Sequence, residues 1–222
     1  MFSGSYLLLI VVTLAIGGLA SWWVNHQLNR FKRTSSSTGM TGAQAAQVML
    51  RRYGLSNVAV HMGRKGQDFF DPRTNSITLE PDVYHGSSVT AIATACHECG
   101  HACQFAQDYT PMKVRSSLVP VVNLASNTWM IVLLAGIFLG LVGFVKLAIL
   151  LYACAVLFEL VTLPVEFNAS NRAMAYMEES GLALADRQGS AKVLRACALT
   201  YVAAALTSIL QLLWLIGQVD EG

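Results

Sequence analysis

Residues 118–145 contain not one charged side chain. A bilayer is crossed by about 20 apolar residues in a helix, so this stretch constrains the fold more than any other feature. Three further stretches read the same way: residues 6–24, 147 to about 165, and 199–217. In lipid the backbone must satisfy its own hydrogen bonds, so all four are read as helices. Asn123, Ser126 and Asn127 hold the start of the second run out of lipid and place its span near residues 127–145, with Lys146 separating it from the third. Composition agrees. Charged residues make up 13% of the chain, against about 25% in soluble domains. A net charge of +2 is too small to point to nucleic acid, and no such partner is expected.

The first run ends in Trp22 and Trp23, as interfacial aromatics do, and Arg30, Lys32 and Arg33 follow it. No basic residue precedes it, which favours a retained span over a cleaved signal peptide. With four spans and the N-terminus outside, fourteen of the fifteen Lys and Arg fall on the cytoplasmic side, and only Lys146 lies outside. The expected protein is therefore a multi-pass protein of the cell membrane.

Between the first two spans lies enough chain for a small α+β lobe. Residues 34–42 are a Ser/Thr/Gly linker. Thr41 caps a short amphipathic helix that ends in Arg51, Arg52, Tyr53 and Gly54. Residues 58–62 alternate as a strand. Asp68, Phe69, Phe70 and Asp71 precede a Pro-Arg-Thr-Asn turn and residues 76–80, which predicts a β-hairpin. The expected organisation is a first span within 1–26, the lobe over 27–117, the second and third spans over 118–167, a cytoplasmic helical segment over 168–198, and the fourth span with its tail over 199–222.

A helix predicted from about Ser87 to Gln107 contains His97-Glu98-Cys99-Gly100-His101. Histidines four apart share one helix face and can present nitrogens to one metal ion. Glu98, one step round, can reach a water in the open position. Zinc suits this pair, and its chemistry is metal-assisted hydrolysis. Two histidines and a glutamate are costly to bury in an apolar helix without partners. Cys96, Cys99 and Cys103 lie along another stripe of this helix. With Cys154 and Cys197 they read as buried thiols in a reducing compartment. A catalytic zinc site needs one more protein ligand. The candidates are Glu159, inside the third span, and Glu166, at its cytoplasmic margin. Pro164 would kink or end that helix and turn Glu166 toward the lobe, so Glu166 is preferred.

Four ordered motifs carry a resemblance: Asp68-Phe-Phe-Asp-Pro-Arg-Thr74, Ala95-Cys-His-Glu-Cys-Gly-His-Ala102, Ser117-Leu-Val-Pro-Val-Val122 and Thr162-Leu-Pro-Val-Glu-Phe-Asn-Ala-Ser170. Over nearly its whole length the chain resembles the YugP-like bacterial membrane neutral zinc metallopeptidases. It is more distantly similar to the HtpX and CAAX-prenyl-endopeptidase clan. The resemblance implies one zinc per chain held by His97, His101 and Glu166, with Glu98 as base and the site facing the cytoplasm. That clan carries Asp four residues after its ligand Glu. Here the position is Ser170, with Asn168 and Asn171 beside it, so the group that orients a ligand histidine is left open. For the oxyanion, His85, Arg172 and Tyr176 are candidates, each with a structural alternative.

The reading is thus a mainly α integral membrane protein with four transmembrane helices and a small α+β cytoplasmic lobe carrying the hairpin and the HExxH helix. Its expected activity is hydrolysis of peptide bonds in membrane or membrane-proximal proteins, with the hairpin edge near Asp68, Phe69, Phe70 and Asp71 as the peptide-binding strand. The rival readings are a non-enzymatic scaffold with a closed structural zinc (Cys99, His85 or Glu159 as fourth ligand) and a transporter using Glu159.

Overall fold

The computed structural model describes residues 4–220. Within them run α1 (Gly4–Lys32), α2 (Gly42–Arg52), β1 (Ala59–Met62), β2 (Phe69–Asp71), β3 (Ser76–Leu79), α3 (Pro81–Tyr84), α4 (Val89–Ala106), α5 (Thr110–Leu139), α6 (Val142–Glu179) and α7 (Leu184–Asp220). Residues 1–3 and 221–222, the outer ends of the segments expected over 1–26 and 199–222, lie outside the described part. The chain forms two compact units. One holds residues 1–21, 113–163 and 200–222; the other holds 22–112 and 164–199.

The first unit is built from apolar helical stretches. Among the described residues α1, α5, α6 and α7 are long and apolar enough to cross a membrane. Their exposed residues are strongly apolar: Phe138 is 84% exposed, Leu14 69% and Ile131 68%. Such a surface would be a liability in water and is the expected one in lipid. Inside this unit Tyr152, Val156 and Leu215 are buried together, with Trp129, Leu133, Ile209 and Leu212 against them. The Tyr152 hydroxyl donates to Gln211 Oε1 at 3.3 Å, and its ring lies 4.5 Å from that of Trp129. The Glu159 Oε2 atom is buried in this unit with no hydrogen-bond partner among the described residues.

Three boundaries differ from those read in the sequence. The turn between the second and third apolar helices falls at Gly140, not at Lys146. Gly140 takes φ +66, and the Leu141 N–H returns to Gly136 O at 2.9 Å, a glycine-terminated helix end. Hydropathy does not register a two-residue turn made of apolar residues. Second, α6 passes through Pro164 without ending. Proline there removes one backbone donor, while Thr162, Val165 and Glu166 beside it are buried. Third, the helix containing the fourth apolar run starts at Leu184, because Gly181 (φ +71) makes the only sharp turn in that polar segment.

The second unit packs a small sheet and α2 around α4. Thr41 caps α2 reciprocally: its Oγ1 accepts from Gln44 N at 3.2 Å, and Gln44 Oε1 accepts from Thr41 N at 2.9 Å. Ala45, Ala46, Met49 and Leu50 are the buried stripe of α2. Full burial of Met49 and Leu50 stabilises by about 1.5–3 kcal/mol each. The sheet order is β1-β3-β2. β3 pairs in parallel with β1, from Ala59↔Ser76 to Met62↔Leu79. It pairs antiparallel with β2, from Phe69↔Thr78 to Asp71↔Ser76. The hairpin read from the sequence is therefore present, closed over residues 72–75 with Asn75 at φ 50, and β3 is central, with Ile77 and Leu79 wholly buried.

Candidate metal centre

α4 begins at Ser88, whose Oγ accepts from Ala91 N at 3.2 Å. Its next residues, Val89, Ala91, Ile92, Ala93, Ala95 and Cys96, are almost entirely buried. They anchor the helix that presents His97, Glu98 and His101. From α6, in the same unit, comes Glu166. One donor atom each from His97, His101 and Glu166 lies within 4.8 Å of the others. His97 Nε2 is 3.2 Å from Glu166 Oε2, and His101 Nε2 is 3.6 Å from the same oxygen. The imidazole rings stand nearly perpendicular, with centroids 4.8 Å apart.

This donor set fits zinc. Bonds of about 2.0–2.1 Å to a tetrahedral ion put neighbouring donors about 3.3 Å apart, and the two observed separations straddle that value. No fourth His, Cys, Asp or Glu joins the group among the described residues. The Glu98 carboxyl, in a residue 7% exposed, makes no hydrogen bond among the described residues, and its charge acts on His101 and Asp68.

The three groups act on one another electrostatically. Burial pushes the Glu166 carboxyl up, but hydrogen bonds and charge from His101 and His97 outweigh it and hold the group well below the usual carboxylate range. Burial pushes His101 down. Hydrogen bonding to Glu166 and the Glu98 charge reverse that and leave it raised. The far nitrogens are also engaged. His97 Nδ1 lies 3.2 Å from Ser170 Oγ, so the position left open in the sequence faces the His97 ring. His101 Nδ1 lies 3.0 Å from Gln104 Oε1.

Gln104 was missed in the sequence. Its only signal there is an amide inside an apolar helix, three residues after the second histidine and so on the same face. It is 0% exposed, and its Nε2 donates to Val165 O at 2.7 Å and to Asn168 Oδ1 at 3.0 Å.

The other residues singled out in the sequence have different surroundings. The Asp68 carboxyl accepts from Glu80 N at 2.8 Å and closes the hairpin. Burial, and the nearby Glu80 and Glu98 charges, push it up to about 6 against that hydrogen bond. The Asp71 carboxyl accepts from the backbone and guanidinium of Arg73. Phe70 is buried, 5.8 Å from the Phe105 ring, while Phe69 is 43% exposed. Arg172 donates to Asn168 Oδ1 and Gln107 Oε1. Tyr176 is 4% exposed, its ring edge-on to Tyr53, and burial pushes its hydroxyl up to about 12. His85 packs its ring against Tyr84. All five cysteines are free. The buried Cys99 thiol donates to Ala46 O, and burial pushes Cys96 up to about 12 and Cys99 well above its usual value. These are protonated, shielded thiols, poor metal ligands and poor nucleophiles.

Gly100 decides how closely α4 and α6 approach. A Cβ there would lie 2.4 Å from Ala169 O and 3.0 Å from Ala169 Cα. In an open helix Gly→Ala gains about 1 kcal/mol. Here the contact is with backbone, and overpacking of that kind costs about 1–3 kcal/mol. Gly100→Ala is expected to lower the melting temperature and weaken zinc binding together, by pushing the Glu166 segment away from the histidines. A variant as stable and as metal-replete as wild type would contradict this.

Residues 6–220 match the family described as "Putative neutral zinc metallopeptidase", and the chain belongs to that family. It is 40% identical over 212 residues to "Putative membrane protease YugP" of Bacillus subtilis (strain 168), an alignment covering 93% of this chain and 94% of that protein. No solved structure matches the chain.

Proposed function

We propose that this protein is a membrane zinc metalloendopeptidase that cleaves peptide bonds of membrane or membrane-proximal proteins at the His97/His101/Glu166 centre. The convergence of two imidazole Nε2 atoms and one buried carboxylate, with the Glu98 charge acting on His101, carries this reading. Zinc, when bound, supplies a Lewis acid for the scissile carbonyl and lowers the pKa of a water. His97, His101 and Glu166 hold the ion. Glu98 accepts a proton from the attacking water and delivers it to the leaving amine. Three donors leave a position open, as catalytic zinc sites do, whereas a structural site is usually closed by four. That favours the peptidase over the scaffold.

β2 supports a mode of substrate binding. It pairs only with β3 among the described residues, so its other edge is open for an extended peptide. Since Asp68 and Asp71 are used within the hairpin, the contact rests on the strand backbone and Phe69. The basic-residue count supports a cytoplasmic site with Lys146 on the other side.

The test is cleavage of an unfolded membrane-anchored protein by the purified chain in detergent. A chelator is expected to stop cleavage, and one equivalent of zinc to restore it. Cleavage that persists without metal would end the proposal. In that assay Phe69→Ala is expected to raise KM more than it lowers kcat, and an unchanged KM would remove β2 from substrate binding. For orientation, a cysteine placed at Lys146 should react with an impermeant reagent in intact cells and one at Arg64 should not. The reverse pattern would overturn the cytoplasmic assignment.

A further inference from the structure

Gln104 sits at the centre of a chain of hydrogen bonds whose directions can be worked out one from the next. The Arg172 guanidinium can only donate, and its Nε lies 2.7 Å from the Asn168 side chain. The atom it faces is therefore Asn168 Oδ1. Gln104 approaches that oxygen at 3.0 Å and the Val165 carbonyl at 2.7 Å. Both are acceptors, so the end of Gln104 that faces them is its NH2 group. Two independent partners thus fix an amide orientation that electron count alone would leave ambiguous. The opposite end, Oε1, then faces His101 Nδ1 at 3.0 Å. An amide oxygen only accepts, so Nδ1 carries the hydrogen.

We infer that Gln104 is a positioning residue, which keeps a hydrogen on His101 Nδ1, leaves Nε2 as the nitrogen turned to Glu166 that would take the metal, and ties that histidine to the segment delivering Glu166. The inference rests on the zinc reading above and deepens it. Gln104 is 0% exposed, so water cannot substitute for any of its three partners. One amide contacts both the second histidine and the carbonyl of Val165, the residue before Glu166. It therefore sets the ring orientation of one donor and the spacing to another. An apolar side chain in its place would leave Val165 O without that donor and His101 free to rotate or to carry its hydrogen on Nε2, where it would block the metal. Outer partners of this kind are worth about 10–100-fold in metal affinity.

Two measurements test this. In the first, the zinc-free wild-type protein is labelled with 15N-histidine and its spectrum recorded at about pH 9, with His101 assigned through its loss in His101→Gln. The Nδ1–H tautomer is expected, and the Nε2–H tautomer overturns the inference. This spectrum needs no metal, so failure of the zinc reading and failure of the inference are seen separately. In the second, zinc affinity is measured in detergent against a competing chelator. Gln104→Met is expected to weaken binding about 10–100-fold, and its zinc-free spectrum is expected to lose the His101 Nδ1–H tautomer. Unchanged affinity in Gln104→Met overturns the inference. So does a weakened affinity in Gln104→Met with the His101 Nδ1–H tautomer unchanged, which would mark a purely structural role.

Discussion

Glu98→Gln is expected to lose peptidase activity by about 10²–10⁴-fold, which is what a positioned general base contributes, while keeping its zinc. The substitution preserves shape and removes only the ability to take a proton. Glu98 lies on α4 one residue from His97, is 7% exposed, and makes no hydrogen bond among the described residues. It is therefore not holding the fold together, and glutamine in its place leaves no partner unsatisfied. The loss corresponds to about 3–5 kcal/mol of transition-state stabilisation. The check is steady-state cleavage with metal content measured on the same preparation. A variant that cleaves within a few-fold of wild type would remove Glu98 as base. One that loses its zinc as well would make Glu98 a structural support of the site.

Glu166→Ala is expected to empty the centre. Its carboxylate is the one anionic donor of the group, 3.2 Å and 3.6 Å from the two Nε2 atoms. Without it two neutral imidazoles remain. Losing a donor outright should exceed the about 10–100-fold that outer partners cost, so the variant should come off a desalting column without zinc. The paired control is Glu159→Ala. Glu159 belongs to the other compact unit and is not in the donor group, so its removal should leave the zinc content unchanged. If Glu159→Ala loses the metal and Glu166→Ala keeps it, the third donor has been misassigned.

Features with a short period were legible in the sequence. The spacing of His97 and His101 follows from the helix repeat. Thr41 as a helix cap, and Pro72 to Asn75 between two strand-like runs, are local signals that the structure repeats. Glu166 could be preferred over Glu159 from its place at the end of an apolar run, but of the two effects expected of Pro164, a kink or an end, the helix does not end there. α6 runs on to Glu179, and Glu166 meets the histidines because Gly100 lets that helix lie against α4. The turn at Gly140 was hidden because its neighbours are as apolar as the helices on either side. Gln104 was hidden for a different reason. Its value lies in atoms 61 and 64 residues away along the chain, and no local pattern encodes such partners. The carboxylates of Asp68 and Asp71 accept hydrogen bonds from Glu80 N and Arg73 within the hairpin, which leaves the backbone of that strand to carry the expected peptide contact.

Zinc K-edge absorption on the wild-type protein in detergent tests directly whether zinc binds in an open site of three protein donors. Two imidazoles, one carboxylate and one non-protein oxygen are expected around each ion. Four protein donors, above all a sulfur from one of the cysteines, would contradict it and turn the centre into a structural clamp.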